Sequence, residues 1–304
     1  MPGLVSVVMS CYNYGHYLPY ALQSVMDQTY TNLEIIVVND GSTDNTDQVM
    51  QPFLSNPKVR YIKQKNRGQA NAKNTGIKNA SGKYVAFLDA DDLWDREKLE
   101  KQLKLFSDMN TGVVFSGLKF INQSGQLIDY KLIGKYFVPH RGNVTQYLIF
   151  DNFIPFSSSV VLKDLLDRHG IFNEKLKMTI DWDLWLRLSL HCHFDFIKEP
   201  LLIYRLGHCG QMSKNTVERF FYSDRVFISF ISAHPEALSK KIVRKAKIYR
   251  LLNRAGFYRN RNLLLSNKYY FKVLKSQFIN LKAYKGLIKN FIIDPFFYLK
   301  TDKN

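Results

Sequence analysis

Residues 83–92 read KYVAFLDADD, an apolar run from Tyr84 to Leu88 that ends in three carboxylates, Asp89, Asp91 and Asp92. A short continuous apolar run bounded by polar residues reads as a strand buried on both faces. Like charges crowded at the end of such a strand repel and raise one another's pKa unless something neutralises them. Asp92 alone is compatible with the cap of a helix running through LWDREKLEKQLKLF, 93–106, and the cluster with a solvated turn. The trio points to a divalent cation instead. Hard cations take oxygen ligands, and Mg²⁺ and Mn²⁺ typically bind one or two carboxylates together with substrate phosphates.

The same strand grammar recurs on the N-terminal side. LVSVVMSCYN (4–13) and LEIIVV (33–38) are buried-strand runs, and VRYIKQ (59–64) is a shorter one. Between them lie helical segments: YLPYALQSVMDQ (17–28), with Leu18, Leu22, Val25 and Met26 on one face, TDQVMQPFL (46–54) and QANAKNTGIKNA (69–80). This alternation predicts an α/β fold, a mostly parallel Rossmann-like sheet with helices on both faces. Ligands of such sheets bind beyond the carboxyl ends of the strands. SCYN (10–13), NDGS (39–42) and DADD (89–92) all sit at such ends, so three polar clusters converge on one rim.

Those clusters have the chemistry of a nucleoside diphosphate site. Tyr12 offers a ring for a base to stack on, or packs in the rim. Asp40 offers an acceptor for a base N–H or a ribose hydroxyl, or is an ordinary turn residue of NDGSTD. Arg67 in NRGQ offers a cation for a phosphate or carbonyl, or is simply exposed. There is no G-x-G-x-x-G after the first strand and no G-x-x-x-x-G-K-[ST], which disfavours a dinucleotide dehydrogenase or a P-loop kinase.

With these features in place, the stretches 5–46 (VSVVMSCYNYG…DGSTDNT), 66–92 (NRGQANAKNTGIKNASGKYVAFLDADD) and 181–188 (DWDLWLRL) resemble the family 2 inverting glycosyltransferases, which have the GT-A fold. The resemblance covers roughly residues 4–213 and rests on several ordered motifs, where a single D-x-D is weak. It implies a GT-A catalytic domain over 1–214 and a helical region over 215–304. It implies that Tyr12 and Asp40 bind the nucleoside and that Arg67 assists at the base or diphosphate. Asp89 and Asp91 become the D-x-D pair for Mn²⁺ or Mg²⁺, with Asp91 the main ligand and Asp89 nearer the ribose and metal. Asp181 takes the position of the catalytic base, with Ile180 where the family usually has Glu and Asp183 as a rival acid. Asp181 is also placed to cap its helix. YRLGHCGQMS, 204–213, resembles the family's Tyr-Arg-x-His segment with one extra residue, and offers His208 to the metal or the diphosphate, or as an ordinary loop residue.

The implied reaction moves one sugar from a nucleotide donor, UDP-linked by default, to a hydroxyl of a glycan or lipid-linked acceptor, in cell-surface polysaccharide or glycolipid synthesis. The Gln-x-x-Arg-Trp motif and membrane spans of processive synthases are absent, which favours one sugar per encounter. A sugar-nucleotide pyrophosphorylase would show a Gly-rich basic loop after the first strand, and SCYNYGHYLP (10–19) has none. A non-catalytic membrane-bound scaffold with a decayed site fits poorly with intact Asp40, Asp89, Asp91 and Asp181.

The chain has 304 residues, 46% hydrophobic, and a net charge of +17. From Lys240 onward there are 17 Lys and Arg against Asp294 and Asp302, a balance of +15, leaving about +2 for everything before. The basicity belongs to the tail. Within it, KYYFKVLKSQFINLKAYKGLIKNFI (268–292) places Leu274, Phe278, Leu281, Tyr284, Ile288 and Ile292 on one helical stripe flanked by Lys275, Lys282, Lys285 and Lys289; DPFFYLK (294–300) follows, with a stop at Pro295. That pattern suits an interfacial helix on anionic lipid, or a stripe packed on the catalytic domain. No nucleic-acid-binding motif accompanies it. Cys11, Cys192 and Cys209 are scattered, with no metal spacing, and no leader or spanning stretch is evident. A cytoplasmic protein, peripheral on the inner face of the cell membrane, is expected.

Overall fold

The computed structural model describes residues 3–129, 138–208, 210–211 and 214–292, the last without its side chain. Cys209, the helix stop at Pro295 and the aromatic cluster after it lie outside the described residues.

Strands β1 (Val5–Cys11), β2 (Leu33–Asn39), β3 (Val59–Lys63) and β4 (Tyr84–Asp89) alternate with helices α1 (Leu18–Met26), α2 (Thr46–Met50) and α3 (Gln69–Lys78). The four strands pair in parallel, in the order β3-β2-β1-β4. Side chains alternate across each strand. On one face Val7 and Met9 of β1 join Leu18, Leu22 and Val25 of α1 in the main core. On the other, α3 lies against Val8 so closely that a Cβ at Gly76 would come within 2.3 Å of it. Only glycine allows that approach, which fixes the height of α3 over the sheet.

The chain continues through β5 (Leu93–Trp94), α4 (Lys98–Leu103), β6 (Thr111–Ile121), β7 (Leu127–Ile128), α5 (Thr145–Leu148), β8 (Val160–Leu162), α6 (Lys163–His169), α7 (Ile180–Leu188), β9 (His193–Arg205) and α8 (Thr216–Ala233). The sheet extends from β4 through β8, β6 and β9 to β5, with β7 paired to β6. β8 is antiparallel to its neighbours, so β6 and β9 again run in the direction of β4.

The helix expected from residue 93 does not begin there. Leu93 and Trp94 pair with Ile203 and Leu202 of β9, and α4 starts at Lys98. Burial decides against the helical spacing: the Trp94 indole is enclosed and its N–H donates to the Ser157 carbonyl at 2.6 Å. Nor is Asp92 a helix cap. It is 1% exposed, accepting from the Ser157 hydroxyl at 2.6 Å and the Arg205 backbone N–H at 3.1 Å.

Two compact units result, Met1–His234 and Pro235–Asn304. The division falls after α8, where the reading of the sequence placed a boundary at 214/215. The second unit holds α9 (Lys240–Tyr258), α10 (Leu263–Ser276) and α11 (Leu281–Ile292). The single stripe from Leu274 to Ile292 is therefore broken. α10 ends at Ser276, and Asn280 starts a new helix by accepting from the Ala283 N–H at 3.0 Å. Ala283 and Leu287 face a core with Tyr270, Val273, Ile248 and Ala255, whereas Phe278, Leu281 and Ile288 are exposed.

Asp92→Ala would orphan the Ser157 hydroxyl and the Arg205 N–H inside the protein, at about 1–3 kcal/mol for each buried group. Urea unfolding should show a loss on the order of 3 kcal/mol, with a smaller loss for Asp92→Asn, which keeps one acceptor.

Candidate active site

The rim at the carboxyl ends of β1, β2 and β4 assembles as expected, and each acid there has a distinct partner. Asp89, the last residue of β4, accepts from the Lys73 ammonium at 2.7 Å. Lys73 projects from α3 and is itself buried, 4.1 Å from the centre of the Phe156 ring. Burial raises the Asp89 pKa, Lys73 draws it down and Asp91 pushes it up. Asp91 faces the Nε2 of His208 at 2.9 Å. His208 is 2% exposed, edge-on to the rings of Tyr14 and Tyr17, and its Nδ1 is 3.5 Å from the Tyr14 hydroxyl. Burial, then Asp91 and Asp89, push the Tyr14 phenol up. Asp92 is held well above the usual carboxylate range by burial and by the same two acids.

Arg205, the last residue of β9, fastens this corner. It donates to the Asp91 carbonyl at 2.9 Å and to those of Asn122 and Gln123 at 3.2 and 3.0 Å, with its guanidinium 4.5 Å from the Tyr17 ring centre.

At the end of β2, Asp40 is buried and works as a loop clamp. One oxygen accepts from the Arg67 N–H at 2.9 Å and the Gln64 amide at 2.8 Å; the other accepts from the Gly68 N–H at 2.9 Å. A carboxylate has about four acceptor directions, so roughly one remains for a ligand. The clamp presents Arg67, whose side chain is exposed, and Tyr12 stands 45% exposed on the neighbouring strand end.

Asp181 lies in the first turn of α7, but the cap position belongs to Thr179. Thr179 has φ +57°, the left-handed region in which a β-branched residue is an outlier. Such strain clusters where a neighbouring side chain must be aimed. Asp181 accepts from the Asn152 amide at 2.7 Å. Burial raises its pKa, backbone N–H groups at the helix start and Lys73 draw it down, and Asp89 pushes it up. Lys73 and Asp89 thus act electrostatically on both acidic stations. Asp183 is spent elsewhere: it pairs with Arg187 at 3.0 Å, and Arg187 holds the carbonyls of His169, Gly170 and Ile171. Lys73, Tyr14, Asn152 and Arg205 were not singled out from the sequence. The signal for Lys73 was available, as a charge among the small residues of QANAKNTG, and Arg205 directly follows Tyr204 in the segment that yielded His208.

A family model described as Glycosyl transferase family 2 matches residues 6–169, more than half of the chain. The chain belongs to glycosyl transferase family 2. An uncharacterized glycosyltransferase of Rickettsia felis is 33% identical over 215 residues, 69% of this chain and 35% of the relative. Chondroitin synthase of Escherichia coli is 32% identical over 188 residues, 61% of this chain and 26% of the relative. The chain thus spans about a third or less of the length of these two relatives. Among solved structures, residues 1–349 of S. aureus TarS in complex with UDP-GlcNAc superpose with a TM-score of 0.69 at 18% identity, covering 94% of this chain and 89% of that one. A mannosyltransferase of Pyrobaculum calidifontis, solved with GDP-Man and Mn²⁺, gives 0.54 at 16% identity, covering 95% of this chain and 87% of that one. At these identities the likeness establishes the fold, which is GT-A. No helix among the described residues is long and apolar enough to cross a membrane.

The donor set also decides what cation the rim suits. No group of three His, Cys, Asp or Glu among the described residues is arranged to hold a metal ion by itself. Asp91 and His208 offer one carboxylate and one imidazole, with Asp89 two residues away. That incomplete, mostly oxygen set fits a hard cation that completes its shell with substrate phosphates and water, as Mg²⁺ and Mn²⁺ do.

Asn152→Ala would remove a donor that favours the ionised form of Asp181. The acid limb of the pH–rate profile should then move to higher pH, with turnover at neutral pH less affected. An unmoved limb would detach Asn152 from the titrating group.

Proposed function

We propose that this family 2 chain transfers one sugar from a nucleoside diphosphate sugar, UDP-linked in the first instance, to a hydroxyl of a glycan or lipid-linked acceptor, with inversion. The observation that carries the reading is the pairing of two acidic stations around Lys73: the rim acids Asp89 and Asp91, and the separately held Asp181. The ligands of the solved structures that share the fold support the donor class: UDP-GlcNAc and UDP in TarS, GDP-Man in the mannosyltransferase.

The division of labour follows from the geometry. The exposed Tyr12 ring stacks on the base, and the remaining acceptor direction of Asp40 takes a base or ribose donor. Arg67, presented by that clamp, meets the base or the diphosphate. Asp91 and His208 would hold Mn²⁺ or Mg²⁺, with Asp89 toward the ribose, and the bound cation would neutralise charge on the departing nucleoside diphosphate. Asp181 takes the proton of the acceptor hydroxyl as that oxygen attacks the anomeric carbon. Burial raises its pKa, which makes its ionised form a stronger base than a solvated aspartate. A single base and a single displacement give inversion. Catalysis resides in the first unit. The basic second unit serves attachment to the anionic inner face of the cell membrane, a reading supported by its charge.

Asp181→Asn should keep donor binding and lower turnover by on the order of a hundredfold or more, the usual contribution of a general base. Activity of the wild type should fall as pH drops through the raised pKa, because the base must be ionised. Asp183→Asn should cost stability rather than chemistry, and the reverse pattern would exchange their roles.

Asp91→Asn should abolish the thermal shift that Mn²⁺ plus UDP confers on the wild type, with little change in the melting temperature of the free protein. A wild-type shift with UDP that EDTA leaves unchanged would remove the cation from the scheme.

A further inference from the structure

We infer that the turn between α10 and α11 inserts into an anionic bilayer and so anchors the chain, an inference that rests on the surface role proposed for the second unit. The turn, residues 277–280, carries Phe278 and Ile279 at its tip, each 78% exposed, with exposed Leu281 directly after. Turns normally carry Gly, Pro, Asn, Asp or Ser. Two large apolar side chains thrust into water at a turn, next to a third, form a patch that calls for an apolar partner.

The surroundings define that partner. α9 runs antiparallel to α10: the Arg244 guanidinium donates to the Ser276 carbonyl at one end, and the Ser266 hydroxyl to the Ala255 carbonyl at the other, at 2.8 Å. The first turns of α9 therefore lie beside the tip. Lys240, Lys241, Arg244, Lys275, Lys282 and Lys285 are all exposed at this end of the bundle. From Pro235 to Ile292 the only acid is Glu236. An apolar tip inside a basic collar matches a membrane of anionic lipid, whose acyl layer takes the rings while its phosphates meet the lysines.

The tip is also rigidly presented. The Asn280 amide donates to Gln277 at 3.1 Å while its oxygen caps α11. α11 packs against α10 so closely that a Cβ at Gly286 would fall 2.2 Å from Tyr270. A second copy of the chain would set one basic collar against another. A nucleic acid would satisfy the lysines and leave Phe278 and Ile279 in water.

The test uses the full chain. Its three tryptophans, Trp94, Trp182 and Trp185, are all buried, so Phe278→Trp supplies a separable signal. With vesicles of phosphatidylcholine and phosphatidylserine, its emission should shift to the blue and be quenched by lipid brominated in the acyl chain. Pure phosphatidylcholine should give neither effect. The double variant Phe278→Ser, Ile279→Ser should sediment with anionic vesicles at least tenfold less well, at an unchanged melting temperature. If that variant is unstable, the Trp quenching alone decides. Sedimentation without quenching would overturn insertion of the tip and leave the surface role standing. No sedimentation with anionic vesicles would overturn both. Tight binding of a single-stranded RNA oligomer, indifferent to the tip substitutions, would assign the collar to nucleic acid. Thermal shift with UDP, read on every variant, keeps these outcomes separate from the glycosyltransferase reading.

Discussion

Everything around the rim depends on how three carboxylates within four residues coexist at the end of β4. Their mutual repulsion in a recessed site would be costly if left uncompensated. The protein gives each a separate solution. Asp89 takes a buried ammonium, Asp91 takes an imidazole, and Asp92 takes a hydroxyl and a backbone N–H. These partners come from α3, from the loop after β9, from the turn before β8 and from β9 itself. Parts of the fold far apart in sequence are thereby drawn to one corner. Ser157 shows the economy of the arrangement: its hydroxyl donates to Asp92 and accepts from the Asp89 N–H at 3.1 Å, tying the first and last acids of the trio to one side chain.

The same logic separates the acids that stay open to chemistry from those committed to structure. Asp92 is buried between two donors and Asp183 is paired with Arg187. Asp40 carries three donors on its two oxygens. Among the described residues, Asp89, Asp91 and Asp181 each meet one side-chain partner. A carboxylate with spare acceptor capacity can still take a cation or the proton of a hydroxyl.

How much of this was legible from the residues follows from the range of the forces involved. β1 to β4 and the helices between them are set by local apolar periodicity, and they appear where the pattern puts them. The convergence of Tyr12, Asp40 and the acids of DADD on one rim follows from topology alone. What escaped depends on contacts between distant segments. Leu93 and Trp94 carry helical spacing, yet pair as a strand because β9 and Ser157, more than sixty residues away in sequence, enclose the indole. The tail stripe is periodic through Gln277 to Asn280, but Ala283 and Leu287 are claimed by the α9–α10 core, which turns the chain and leaves Phe278 outside. The hydrogen bond of Asn152 to Asp181 and the left-handed backbone of Thr179 have no local signature at all. The division of the chain after α8 likewise reflects packing, where composition changes only at Lys240.

Arg205 has one consequence for the evolution of such a molecule. Its guanidinium holds the Asp91 carbonyl and the carbonyls of Asn122 and Gln123 at once, so the hairpin joining β6 to β7 is mechanically part of the rim. Hairpin turns drift readily in length and sequence, since they sit at the surface and cost little to rebuild. Here that freedom is coupled: a turn rebuilt at 122–126 tugs on the backbone of Asp91 without touching any donor. The hairpin is thus a route by which a change outside the rim reaches the backbone of the acidic corner with no acid replaced.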